Sequence, residues 1–195
     1  MASRACDLEP TGAVFADLLA RARRGDGRAW EQLYRWLAPT VAGYLRVQGA
    51  QAPSDLTSEV FLALVSKVHT FNGDPPQFRA FVFVLAHRRL QDERRREGRR
   101  SRSVIDDAFD ADQHGPPTGD VADHVLDRLA GERVLALCAP LSPDQRDVVM
   151  LRVVADLSLE QVAGVVGKTT GAVKALQKRA FDQIRRNISR EAVSR

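Results

Sequence analysis

Residues 157–186 read LSLEQVAGVVGKTTGAVKALQKRAFDQIRR, and the spacing predicts a helix-turn-helix with a basic tail. Ser158 and Gln161 stand at the two ends of an S-x-x-Q capping box, and Val162, Ala163 and Val166 repeat at helical spacing, which gives a first short amphipathic helix. Gly167 supplies the backbone freedom that a sharp turn needs. Thr169 or Thr170 then caps a second helix, whose apolar residues Val173, Leu176, Ala180 and Ile184 recur every three or four positions. Its opposite face carries Thr170, Lys174 and Lys178 at four-residue intervals, with Arg179, Arg185 and Arg186 further along. A solvated surface helix normally mixes charge signs. From Lys168 to Arg190 there are seven Lys or Arg against the single Asp182, so this face is built for a polyanion, and DNA is the natural partner of a helix-turn-helix.

The rest of the chain is read outward from that stretch. It has 195 residues, 44% of them hydrophobic, enough for one domain or two small ones, and a net charge of +4. The distribution of that charge says more than its total. Arg88 to Arg102 holds eight Arg against Asp92, Glu93 and Glu97, whereas Ser103 to Asp127 holds seven Asp and no Lys or Arg. Two basic blocks thus flank an acidic segment. Cys6 and Cys138 are far apart, and His69, His87, His114 and His124 are scattered, so neither a disulfide framework nor a metal site is expected. No cofactor is expected either: there is no Gly-rich phosphate loop and no clustered nucleophile and base, and the chain reads as a non-enzyme. The longest uninterrupted apolar run is the seven residues from Ala80 to Ala86, and the N-terminus has no hydrophobic leader. A membrane partner is therefore not expected, and the predicted location is the cytoplasm.

In chain order, a loose tail of ten residues precedes a helix beginning near Thr11 or Gly12, with Phe15, Leu18, Leu19 and Ala22 as its stripe. Asp26 caps a second helix with Trp30, Leu33, Tyr34, Leu37, Val41, Tyr44 and Leu45 inward and a bend expected at Pro39. A third helix starts at Ser54 or Asp55 and ends near His69, with Leu56, Val60, Phe61, Leu64, Val65 and Val68 inward and Asp55, Ser58, Glu59 and Ser66 outward. The loop FNGDPPQ, Phe71 to Gln77, breaks the pattern, and Pro76 opens a helix lined by Phe78, Phe81, Val82, Leu85 and Leu90 that runs on into HRRLQDERRREGRR. Residues 101 to 121 lack periodicity and read as a flexible acidic linker. Helical pattern resumes at Ala122 through Cys138, with a break at Gly131. Ser142, Pro143 and Gln145 then open a helix to about Val154. The predicted fold class is all-α: two small helical domains at 11–100 and 122–190, joined by the linker at 101–121.

The ordered set of segments RGDGRAWEQLYRWLAPTVAGYLR, SDLTSEVFLAL, FRAFVFVLAHRRLQDERRR and LSPDQRDVVMLRVVADLSLEQVAGVVGKTTGAVKALQKRA resembles, across about Leu18 to Arg186, regions two and four of the extracytoplasmic-function sigma factors of bacterial RNA polymerase. The resemblance implies promoter recognition without catalysis. By position it implies that Asp55 and Glu59 dock on the clamp of the largest polymerase subunit, with Ser58 where the family usually has Gln. It implies that the Phe71 to Gln77 loop receives a base flipped out of the minus-ten element, Asn72 facing its edge, and that Arg88, Arg89, Asp92, Arg95 and Arg96 lie along minus-ten DNA. It places Thr170, Lys174, Lys178 and Arg179 at the minus-thirty-five element. Leu176 and Gln177 stand where Arg and Leu are commoner, so base preference is not inherited. The linker would thread toward the polymerase cleft. The sequence shows no appended sensor domain, so regulation is expected from a separate anti-sigma factor, from expression or from proteolysis. The alternative reading is a helix-turn-helix regulator acting without core polymerase, which leaves the Asp55 and Glu59 face and the Arg-rich helix unexplained.

Overall fold

The computed structural model describes residues 9–103 and 131–193. The described residues are helical, with no strand among them. The N-terminal group comprises α1 (Gly12–Arg23), α2 (Gly27–Val47), α3 (Pro53–Lys67) with a 3₁₀ turn at Val68–Thr70, and α4 (Pro75–Ser103). The C-terminal group comprises α5 (131–138), α6 (Pro143–Val149) widening into a π turn at Met150–Val154, α7 (Leu159–Val166) and α8 (Thr170–Val193).

Local chemistry sets most of these boundaries. Gly25, at φ +84°, takes the chain out of α1, and Asp26 starts α2 by accepting from the backbone N–H groups of Arg28 and Ala29. The helix runs unbroken through Pro39. Ser142 with Gln145 and Ser158 with Gln161 form the two expected capping boxes. Gly167, at φ +66°, closes α7 in the left-handed conformation, and Thr169 Oγ1 accepts from Ala172 N at 3.2 Å to open α8. A further box escaped the sequence reading: Asp74 Oδ1 accepts from Gln77 N at 2.8 Å while Gln77 Oε1 accepts from Asp74 N at 3.1 Å, so α4 begins at Pro75.

The core of the N-terminal group is aromatic. Phe15 meets Phe78 edge-on at 5.3 Å, Phe78 stacks on Trp36 at 6.2 Å, and Phe71 closes the cluster against Phe78 at 5.1 Å. Two residues expected inward are not. Tyr34 is 46% exposed, lying over the Phe61 ring, and Val65 is 45% exposed beside the outward Leu62. Both stand at the margins of stripes whose centres, Leu33 and Leu64, are fully buried; no other described element covers that side. The C-terminal group packs Val148, Leu151, Leu157, Val162, Val173 and Ala180 without any fully buried aromatic ring.

The two predicted helical groups are present, and they pack against each other: α7 lies on the start of α4, and α6 with its π turn lies on α2. Of the expected linker, residues 101–103 continue α4 and the remainder lies outside the described residues, as does the expected helical pattern before Gly131.

Candidate nucleic-acid interface

Recognition by a helix requires a backbone held rigidly from behind and cations left free in front. α8 meets both conditions. Val173 and Ala180 are fully buried, Leu176 and Ile184 pack on the same core, and Gln183 Nε2 donates to Pro140 O at 2.8 Å. On the other side Thr170, Lys174, Lys178 and Arg179 are all exposed. Lys174 and Lys178 are one turn apart, about 6 Å along the axis, close to the spacing of successive phosphates. Arg179 Nε donates back to Ala175 O, which leaves the rest of its guanidinium outward. Lys168, at the turn, is instead spent on Asp144 at 3.0 Å and belongs to the scaffold.

The loop before α4 is a built platform. Phe71 is wedged between Phe78 and Phe81, and its carbonyl accepts from Arg23, which also donates to Val68 O at 3.3 Å. Gly73 has no room for a side chain: a Cβ there would lie 2.3 Å from Gln77 Oε1 and 2.9 Å from the Phe71 ring. With Phe71 pulled in and Asp74 locked to Gln77, Asn72 is left exposed on the tip with its amide uncommitted among the described hydrogen bonds. Such an amide presents both a donor and an acceptor to a base edge.

Along α4, Arg88, Arg95 and Arg96 are exposed, and Arg95 lies 3.5 Å from Asp92 on its own helix. Arg89 Nη1 is 3.8 Å from Glu59 Oε2 across to α3. The residues expected to serve two different partners therefore share one cleft of about 470 Å³, lined by Asp55, Leu56, Glu59, Arg89, Glu93 and Arg96 among others. Asp55 is exposed and Glu59 half-exposed, between the buried Leu56 and Val60 as the sequence predicts. Burial pushes the Glu93 carboxyl above its ordinary range, against a backbone hydrogen bond from Gln51 and helped by the nearby Glu97. A half-exposed pair such as Arg89 with Glu59 contributes at most about 1 kcal/mol, so either residue can be drawn off by a better partner.

Sequence reasoning missed the polar residues between the two helical groups. Asp147, 4% exposed, accepts from Tyr44 Oη at 2.6 Å and Gln48 Nε2 at 2.8 Å. Arg79, 8% exposed, lies over the Trp36 ring at 5.9 Å, donates to Ala155 O and Asp156 Oδ2 at 3.3 Å each, and pairs with Glu9. One signal for this was legible: Ala80 to Ala86 is continuously apolar, a wider face than a helix packed on one side needs.

Comparison with known proteins matches residues 29–100 to a family described as Sigma-70 region 2 and residues 139–186 to one described as Sigma-70, region 4. The chain is 31% identical over 184 residues to the ECF RNA polymerase sigma factor BldN of Streptomyces coelicolor, covering 92% of this chain and 68% of that one. It is 28% identical over 180 residues to the ECF RNA polymerase sigma factor SigD of Mycobacterium tuberculosis, covering 88% and 82%. In fold it is similar to CnrH, solved in complex with the cytosolic domain of CnrY (TM-score 0.60, 23% identity, 88% of this chain and 95% of that one). It is also similar to RpoE of Bartonella quintana, solved with the anti-sigma factor NepR (TM-score 0.59, 17% identity, 82% and 96%).

Proposed function

The chain belongs to the extracytoplasmic-function sigma factors of RNA polymerase, and from that premise we propose how its surfaces divide the work of promoter recognition. The observation that carries the reading is the order of its surfaces: an outward carboxylate face on α3, an Arg-lined α4 beneath a rigid loop tip, and a recognition helix with its cations unspent.

Region two, spanning 11–100, docks on the clamp of the largest polymerase subunit through Asp55 and Glu59. Carboxylates standing clear of a buried apolar stripe present charge to a basic partner at little desolvation cost. The exposed Leu62, three residues beyond Glu59 on the same helix, adds apolar area on that side of α3. The same region holds the minus-ten element. Asn72 takes the edge of an extruded base, and Arg88, Arg89, Arg95 and Arg96 neutralise phosphate, with Asp92 orienting Arg95. Region four, spanning 122–190, sets Thr170, Lys174, Lys178 and Arg179 into the minus-thirty-five element. The segment 101–121 joins them. Bond formation is the polymerase's chemistry; this chain supplies position and stabilises melted template. The setting is cytoplasmic, and among the described residues no helix is long and apolar enough to cross a membrane. An anti-sigma factor is the regulator to seek, since CnrH and RpoE, two solved proteins of like fold, were captured with CnrY and with NepR.

Transcription in vitro with core polymerase across a genomic library identifies the promoter. On that promoter, alanine at Lys174, Lys178 and Arg179 together should abolish protection near minus thirty-five while holoenzyme still forms. Wild-type footprints and transcript levels from the triple variant would overturn the recognition-helix assignment. Charge reversal at Asp55 and Glu59 should weaken core binding with helicity unchanged; unaltered affinity at physiological salt would overturn the dock.

A further inference from the structure

We propose that Arg23, the last residue of α1, is a positioning residue for base selection in the minus-ten element, because it grips the backbone that presents Asn72. This rests on the assignment of Asn72 to an extruded base, and it brings into promoter recognition a helix that precedes the matched residues 29–100. The guanidinium forks onto two carbonyls of the neighbouring turn. Nε donates to Val68 O at 3.3 Å and Nη2 donates to Phe71 O. Phe71 N donates to the same Val68 O at 3.3 Å, so one side chain ties both ends of the turn together. Phe71 O belongs to the peptide unit whose nitrogen is that of Asn72. Because that unit is planar, holding its oxygen sets the direction in which the chain enters Asn72.

The surroundings of the grip give it this consequence. Upstream of Asn72 the Phe71 ring is held against Phe78 and Phe81, at 5.1 and 5.5 Å between centroids. Downstream, Asp74 and Gln77 are locked to each other at the start of α4. Asn72 and Gly73 are all that spans the two anchors, so little freedom is left to be lost when the exposed amide meets a base. That amide has no hydrogen bond of its own among the described residues, and its aim is therefore set by the backbone beneath it. Arg21 shows the ordinary use of a cation on α1, an ion pair with Asp26 at 2.8 Å. Arg23 is directed instead at backbone oxygens far along the chain, which a lysine ammonium on its flexible stem could not bridge with the same fixed fork.

The test uses the full chain, alone for hydrogen exchange and in holoenzyme for promoter opening. Exchange of the Phe71 amide, whose partner is Val68 O, should quicken several-fold in Arg23→Ala, with helicity by circular dichroism unchanged. Base discrimination is the ratio of open-complex rates on promoters that differ only at the minus-ten position where Asn72→Ala flattens preference. Arg23→Ala should cut that ratio roughly fivefold, the scale of one lost hydrogen bond to a base edge. Arg23→Lys keeps the cation at the end of α1. It should melt nearer to wild type yet retain most of the lost discrimination, and it carries the test if Arg23→Ala fails to fold. In the Asn72→Ala background Arg23→Ala should remove no further discrimination, whereas a general loss of stability would act there as well. Unchanged exchange would overturn the grip. Quickened exchange with wild-type discrimination, or a Lys variant that discriminates as wild type does, would overturn the positioning role. If Asn72→Ala leaves base preference intact at every minus-ten position, the reading of the loop as a base receptor fails and the positioning role with it, while exchange still decides the grip.

Discussion

Region two and region four solve the same packing problem with different materials. Region two wraps four elements around interlocked aromatic rings, Phe15, Trp36, Phe71 and Phe78, and carries both tryptophans. Between residues 131 and 193 the single aromatic is Phe181, half-buried, and the core is Val, Leu, Met and Ala. Region four makes up for thin hydrophobic content with termini: two capping boxes and a left-handed glycine fix the angles of helices as short as seven and eight residues. Aromatic burial contributes several kcal/mol per ring and a cap about one. The contrast implies a self-sufficient platform and a light module that gains from being docked on it.

The largest expected effect breaks the platform. Phe78 is fully buried and touches three other rings. Phe78→Ala should cost about 3–5 kcal/mol in urea denaturation followed by tryptophan fluorescence, which reports region two. A loss below about 1 kcal/mol would mean that the rings do not act as one core. Next comes Gly73→Ala, where the new Cβ collides with Gln77 and with the Phe71 ring. It should cost about 1–3 kcal/mol and lower open-complex formation, by permanganate reactivity, while footprints at minus thirty-five persist. Gly164→Ala, in a helix of region four with nothing within 4 Å, should be neutral or stabilise by up to about 1 kcal/mol.

How much of this the amino-acid sequence discloses follows the same division. Caps and turns are local, so Asp26, Ser142, Ser158 and Gly167 were all legible, as were Thr170, Lys174, Lys178 and Arg179 as an outward face. The box at Asp74 and Gln77 is equally local, and it lies over Pro75 and Pro76, which carry the same helix-start signal without it. What depends on a distant partner was not legible. Tyr34 and Val65 lie at stripe margins whose fate is decided by whether another element arrives, and none of the described ones does. Asp147 reads as an ordinary exposed acid of a short helix until α2 is brought against it. Arg79 was the exception that left a trace, in the overly wide apolar face beside it.

A smaller effect separates the modules again. Ser158 accepts from Gln161 N at 3.2 Å and caps the first helix of the helix-turn-helix. Ser158→Ala should cost about 1 kcal/mol by thermal denaturation at 222 nm, and minus-thirty-five binding should weaken in step because α8 is oriented through α7. A loss of stability with no loss of binding would show that α8 is positioned from elsewhere.

The smallest effect compares one carboxylate from each region. The hydrogen bond and charge of Arg21 hold the Asp26 carboxyl below its ordinary range, against a desolvation that would raise it, with Nε at 2.8 Å. Glu160 is also lowered, first by a bond from its own backbone N–H and then by the Ser158 hydroxyl at 2.8 Å. A carboxylate depressed in the folded state favours folding above its unfolded value, near 4, and loses that contribution as pH falls through the folded value. Asp26→Asn keeps an oxygen for the Arg28 and Ala29 N–H groups and removes the charge together with the second oxygen, which accepts from Arg21. Its Tm should therefore lie below that of wild type at pH 7, and the difference should vanish as pH falls toward 2. Glu160→Gln should show the same direction. Salt separates the two: Asp26 depends on a cation and its difference should shrink in 1 M salt, where screening acts over about 3 Å, whereas Glu160 relies mainly on local N–H and O–H donors and should keep most of its difference. Equal salt sensitivity at both sites would place Glu160 under the influence of Arg152, its remaining charged neighbour, and would make region four's caps more electrostatic than their geometry implies.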